Sequence, residues 1–191
     1  YDGESICDGD FSSGGCNPRT GESAVTYALR SGVSDELFTM LDENGAAYGD
    51  EDPLLAVTSR ASVAVLEKVC TGNPEAVRGS DIIRSLLQQG QPLSSTSEKM
   101  HVLLSHGADS NVQLVSGNQH KPVTHYAAVH MGHNDMRNLL SHKADVDGLD
   151  ECGRTALFYA ARRGRVDTVK CLTGIGEEEN GNAQANVNIS D

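Results

Sequence analysis

Two stretches of this chain superpose at a fixed spacing. "THYAAVHMGHNDMRNLLSHKADVD", residues 124–147, and "LFYAARRGRVDTVKCLTG", residues 157–174, align on the alanine pairs Ala127-Ala128 and Ala160-Ala161 at an offset of 33 residues. Each second alanine stands 11 residues before a leucine, Leu139 or Leu172. A third stretch, "VLLSHGADSN" at 102–111, matches "NLLSHKADVD" at 138–147 at an offset of 36, which calls for a longer connection between them. Self-similarity with a period of roughly 20–50 residues is the mark of solenoids, propellers and arrays, whose units bury their apolar faces only against one another.

Composition says how such units can pack. Hydrophobic residues make up 38% of the 191 residues, with no Trp and only 4% aromatic. The core must therefore come from Ala, Leu, Val and Ile, which suits thin, closely packed helices and argues against an aromatic-rich β-sandwich. Ala127, Ala128, Ala160 and Ala161 are expected to let the first helix of one unit approach the next, with Leu139, Leu140, Val169 and Leu172 filling a deeper layer. On that reading, Ala161→Leu overpacks its layer at about 1–3 kcal/mol. Gly132 and Gly164 are expected to turn the chain between the helices at positive φ.

These residues resemble the ankyrin repeat. Asp150, Gly153, Thr155, Leu157, Ala160, Ala161, Gly164, Val169 and Leu172 fall on its pattern without a gap. His125, Ala127, Ala128, Gly132, His133, Leu139, Leu140, Ala144, Asp145 and Val146 follow it one unit earlier, with the Gly-His turn slipped by one residue. With that template, "PLLAVTSRASVAVLEKVC" at 53–70 and "GESAVTYALRSGVSDELFTMLDENGA" at 21–46 become legible as units. "SDIIRSLLQQG" and "SEKMHVLLSHGA" read as a helix pair separated by the linker "QPLSSTS".

The resemblance implies an all-α ankyrin-type solenoid of stacked antiparallel helix pairs, joined by loops or hairpins. Its five units cover about 17–49, 50–78, 79–112, 113–147 and 148–187, together an ankyrin-like domain over 17–187. Residues 1–16, rich in Gly, Ser and Asp, read as an irregular segment or part of a preceding unit. "GIGEEENG" reads as a solvated insertion in the last unit. Residues 188–191 read as the start of a following unit, and Tyr1 in place of Met suggests an excised fragment. A tetratricopeptide array has a similar period but expects a Trp- or Tyr-bearing pattern, and there is no Trp.

Charge and motifs narrow the function. A net charge of −12 argues against binding to nucleic acid or an anionic membrane. No apolar run is long enough to span a bilayer, and no signal-peptide pattern opens the chain. Five scattered cysteines without a Cys-x-x-Cys pair suit free thiols in a reducing, intracellular compartment, cytoplasmic or nuclear. All seven histidines fall between 101 and 142, but 101/106 and 125/130 are five apart and put no two ligands on one helical face; no metal site is expected. The resemblance gives His125 and His133 structural roles in the turns. No Walker, G-x-S-x-G or H-E-x-x-H pattern occurs, so neither an enzyme nor a cofactor is expected.

The resemblance also says where partners dock, namely at the ends of the first helices and the loop tips. The helix-end positions are Arg30 and Ser31, Ser59 and Arg60, Gln88 and Gln89, His130 and Met131, and Arg162 and Arg163. The tips carry Asn118, Gln119, His120 and Lys121 in the fourth unit and Glu151, Cys152 and Arg154 in the fifth. The expected site comprises Arg30, Arg60, Asn118, Gln119, His120, Lys121, Glu151, Cys152, Arg154, Arg162 and Arg163, binding a protein or peptide that is acidic at the contact. Cations at helix C-termini also interact favourably with the helix dipole, by about 0.3–1 kcal/mol each, with no partner at all. The sequence thus reads as a non-catalytic, monomeric protein-interaction module. The alternative is a structural or autoregulatory segment of a larger enzyme, channel or ubiquitin-ligase adaptor.

Overall fold

A computed structural model describes residues 23–32, 34–59, 61–78, 82–89, 93–116, 119–175 and 185–187. The segment 1–16, the acidic run of the insertion, residues 188–191, Arg60 and Asn118 lie outside them. The described residues are mostly helical, with one two-stranded hairpin, and the chain divides into two compact units, Tyr1–Ala76 and Val77–Asp191.

In the first unit, α1 (Ala24–Ser31) packs on α2 (Asp35–Glu43), and α3 (Asp52–Thr58) on α4 (Val63–Gly72). Ser23 opens α1 by accepting the Thr26 amide, and Gly32 closes it at φ 64°. Apolar residues recurring three and four apart give each helix one inward face. Val25, Leu29, Phe38, Val57, Leu66 and Val69 form the core, all nearly or fully buried. The two pairs are tied through buried Asp52, whose carboxylate accepts the Thr26 hydroxyl and the Gly49 amide, each at 2.7 Å. A short helix the sequence did not announce, α5 (Pro74–Arg78), follows; Pro74 starts it where a missing N–H costs nothing.

The second unit contains α6 (Ile82–Gln88) against α7 (Leu93–Ser105). The hairpin of β1 (Gln113–Ser116) and β2 (Gln119–Pro122) follows, then α8 (Val123–His130) against α9 (His133–Ser141), and α10 (Ala156–Arg162) against α11 (Val166–Thr173). β1 and β2 are antiparallel, with Val115 opposite His120. α8 packs on α10, and α9 on both α7 and α11, so that successive pairs share a layered core of Leu103, Leu104, Ala127, Ala128, Met136, Leu139, Ala160 and Leu172. The loops beyond the second helices interlock as well. Ser110 donates to the His142 carbonyl at 2.7 Å, Asn111 accepts the Asp145 amide at 2.7 Å, and Asp147 accepts the Asn186 amide at 2.8 Å.

Four local expectations are corrected. The linker "QPLSSTS" is helical from Leu93, because Thr96, Met100, Leu103 and Leu104 share a buried face that outweighs the serines' preference for loops. Gly164 turns at φ 66°, but Gly132 does not; it is extended at φ −80° and caps α9, its amide donating to Asp135. That carboxylate, rather than His133, closes the turn. Ala127, Ala128 and Ala160 are buried whereas Ala161 is exposed, so Leu at 161 overpacks nothing.

Candidate functional site

α10 is positioned by an anchored turn. Asp150 is buried and its carboxylate gathers the amides of Cys152 (2.8 Å) and Arg154 (3.0 Å), the Arg154 Nε (3.1 Å) and the Tyr159 hydroxyl (2.6 Å). Burial works against ionisation there, but the Tyr159 hydroxyl, the Arg154 amide and guanidinium and the Cys152 amide outweigh it and hold the carboxyl well below the usual range. Burial and the same bond push the Tyr159 phenol up to about 12. Gly153 at φ 74° completes the turn, and the Thr155 hydroxyl caps α10 at the Phe158 amide.

Between this turn, the hairpin and the helix ends lies a groove of about 730 Å³. α8 contributes Tyr126, Val129 and His130, and α10 contributes Tyr159, Arg162 and Arg163. Each triplet is spaced i, i+3, i+4 and so lies on one helix face, and the two are 33 residues apart, one repeat period. Leu114, Val115 and Lys121 come from the hairpin, Leu87 and Gln88 from the end of α6, and His125 from beneath. The Tyr126 and His130 rings lie 4.7 Å apart, and Lys121 Nζ stands 6.0 Å from the Tyr159 ring centre.

The electrostatics are one-sided. Lys121, Arg162 and Arg163 line the groove, no carboxylate does so among the described residues, and none of the three cations forms an ion pair with a described residue. Partial burial and the charges of Arg163 and Arg165 hold the His130 imidazole below its ordinary pKa. His125, 2% exposed, bonds the Arg154 carbonyl through Nε2 at 2.8 Å, which leaves its buried Nδ1 without a partner among the described residues.

The structure thus brings together Lys121, Arg162 and Arg163 from the expected set. His120 and Glu151 are exposed neighbours, the His120 amide donating to Glu151 Oε1 at 3.0 Å. Cys152 is exposed in the turn, and Arg154 is engaged by Asp150 at 3.0 Å. Gln119 lies in β2, and Arg30 is exposed on α1 in the first unit. In the fourth pair Val129 and His130 face the groove, whereas Met131 is turned inward, with its carbonyl accepting from Arg165. Sequence reasoning missed Tyr126, Tyr159, Val129, Leu114 and Val115. The 33-residue offset that pairs Tyr126 with Tyr159 was the signal available for the first two.

Among the described residues no group of three or more His, Cys, Asp or Glu could hold a metal ion, and no helix is long and apolar enough to cross a membrane.

Residues 124–173 match the family model for ankyrin repeats in many copies. No curated protein matches the chain. Among solved structures, a chain in the complex of the Bd0816 predatory endopeptidase from Bdellovibrio bacteriovorus with immunity protein Bd3460 is similar over 81% of this chain and 98% of that one. At 13% identity and a TM-score of 0.36, that likeness is too loose to carry function.

Proposed function

We propose that this chain, ankyrin-like over residues 124–173, is a non-catalytic module that docks a partner protein through the groove beside α8 and α10 and the adjoining loop tips. Ankyrin repeats are generally protein–protein interaction modules. The observation that carries the reading to this chain is the convergence of Lys121, Arg162 and Arg163 on one groove with no ion pair to a described residue, in a chain of net charge −12. Stability gives no reason to gather unneutralised cations there, apart from the modest helix-end term at Arg162 and Arg163. In this reading, which takes the chain as five units over 17–187, the loop-tip residues Asn118, Gln119, His120, Glu151, Cys152 and Arg154 adjoin the groove, and Arg30 and Arg60 are separate candidate contacts in the first unit. Five scattered cysteines without a Cys-x-x-Cys pair support an intracellular setting.

The test places a photo-crosslinking residue at Val129 in the groove and, as control, at exposed His101 on α7. Exposed to cognate cell extract, the Val129 probe should capture a protein that the His101 probe does not. Charge reversal of Arg162 and Arg163 together should abolish the capture while leaving the helical circular-dichroism signal unchanged. Equal capture at both positions, or capture indifferent to the charge reversal, would remove the groove from the function.

A further inference from the structure

Resting on the docking reading above, we infer that the groove takes an acidic peptide segment built around an aromatic or aliphatic side chain: carboxylates for the rim and an apolar anchor for the floor. Two independent features carry this.

The first is charge. Lys121, Arg162 and Arg163 stand without an ion pair among the described residues. Some cations elsewhere in the described chain find carboxylates, as Lys68 does with Asp42, Arg154 with Asp150 and Lys170 with Asp167; what sets Lys121, Arg162 and Arg163 apart is that they share one groove that no described carboxylate lines. The His130 imidazole on the same face is kept neutral more readily than usual by partial burial and then by Arg163 and Arg165, which is what a locally positive field does to a base. Paired guanidinium groups on one helix end suit carboxylates, which they can engage through two parallel hydrogen bonds.

The second is the floor. Leu87, Leu114, Val115 and Val129 line the same space as the rings of Tyr126 and Tyr159, and Val115 is 40% exposed. A site for charge alone has no use for exposed aliphatic surface. At about 730 Å³ the space is also far larger than a single ion needs and lies within the roughly 300–1,000 Å³ of ligand clefts. Burying an aromatic side chain there supplies the affinity that solvent-exposed ion pairs do not. A nucleic acid would bring its phosphates up to a chain of net charge −12 and is disfavoured.

The experiment uses the full chain and fluorescence anisotropy with four labelled probes. These are a peptide of Asp and Glu around a central Phe, the same peptide with Gly for Phe, the same with Lys for every acid, and a single-stranded DNA of matching charge. The acidic Phe peptide should bind. Removing either the Phe or the acids should weaken binding by about tenfold or more. Arg162→Gln with Arg163→Gln, and separately Val129→Asp, should each cost a similar factor, while Lys170→Gln on α11 should cost nothing. Raising salt should weaken the wild-type complex. No binding of the acidic Phe peptide overturns the inference, and so does equal binding of the Gly peptide or the DNA, which would mark a simple polyanion patch. If no acidic peptide binds while the Val129 probe still captures a partner, the peptide chemistry falls and the docking reading stands.

Discussion

The Nε2 of His125 lies 2.8 Å from the carbonyl oxygen of Arg154, so that a buried ring on α8 is bonded to the turn that launches α10. A carbonyl can only accept, so the proton sits on Nε2, and the buried Nδ1 has no hydrogen-bond partner among the described residues. Protonating Nδ1 would bury an unpaired charge. Burial, outweighing the Arg154 carbonyl and Asp150, accordingly holds the folded pKa below the ordinary 6.5. Because the folded value lies below the unfolded one, the contribution is fully present above about pH 6.5 and is lost as pH falls through that value toward the folded pKa. His130 shifts in the same direction. Between about pH 7.5 and pH 5.5 the urea midpoint should therefore fall further, or rise less, in the wild type than in His125→Gln. The same pH response in both would contradict the buried neutral ring.

Lys143 holds a left-handed backbone at φ 66° where Gly107, 36 residues earlier in the matched stretch, holds φ 88°. A side chain pays about 1–2 kcal/mol for that conformation, partly offset because glycine loses more freedom on folding. Lys143→Gly should raise stability by about 0.5–1 kcal/mol in urea denaturation. A loss would mean that the lysine side chain makes a contribution the backbone argument omits.

Asp150→Ala should be among the costliest single changes in the second unit. It strands the Tyr159 hydroxyl and two backbone amides and frees Arg154, for a loss of about 3 kcal/mol. Tyr159→Phe removes one of these bonds and should cost about 1 kcal/mol. Equal losses for the two variants in thermal or chemical denaturation would show that the turn does not depend on the carboxylate.

Thiol chemistry gives a check on burial. Cys152 is exposed, while Cys70 and Cys171 are buried, and burial pushes the Cys70 thiol up to about 12. In a variant with Cys7 and Cys16 replaced, a maleimide should label Cys152 in the folded protein, and Cys70 and Cys171 only as denaturant unfolds it. Prompt labelling of Cys70 would contradict the packing of α4.

The helical architecture was legible because the alanine pairs and the leucines behind them repeat at one period, and stacking is the sole way such thin units can bury their faces. Detail was lost wherever tertiary context overrode local preference. The serines of 94–97 favour a loop in isolation, yet the buried stripe through Thr96 and Met100 makes them helical. Lys99, in "SEKMHVLL", carries no sign that it will be 2% exposed, with burial lowering its pKa. Arg162 and Arg163 could be placed at a helix end by counting from Ala160-Ala161. The groove around them depends on the hairpin, which brings Leu114, Val115 and Lys121 in from a separate element. No spacing in the chain encodes that meeting.

The most direct measurement is hydrogen–deuterium exchange of the full chain with and without the acidic Phe peptide. Slowed exchange in the hairpin, in 123–130 and in 156–163, with 23–76 unchanged, is the predicted result. Protection confined to 23–76, or no protection under conditions where anisotropy shows the peptide bound, would contradict docking in the groove.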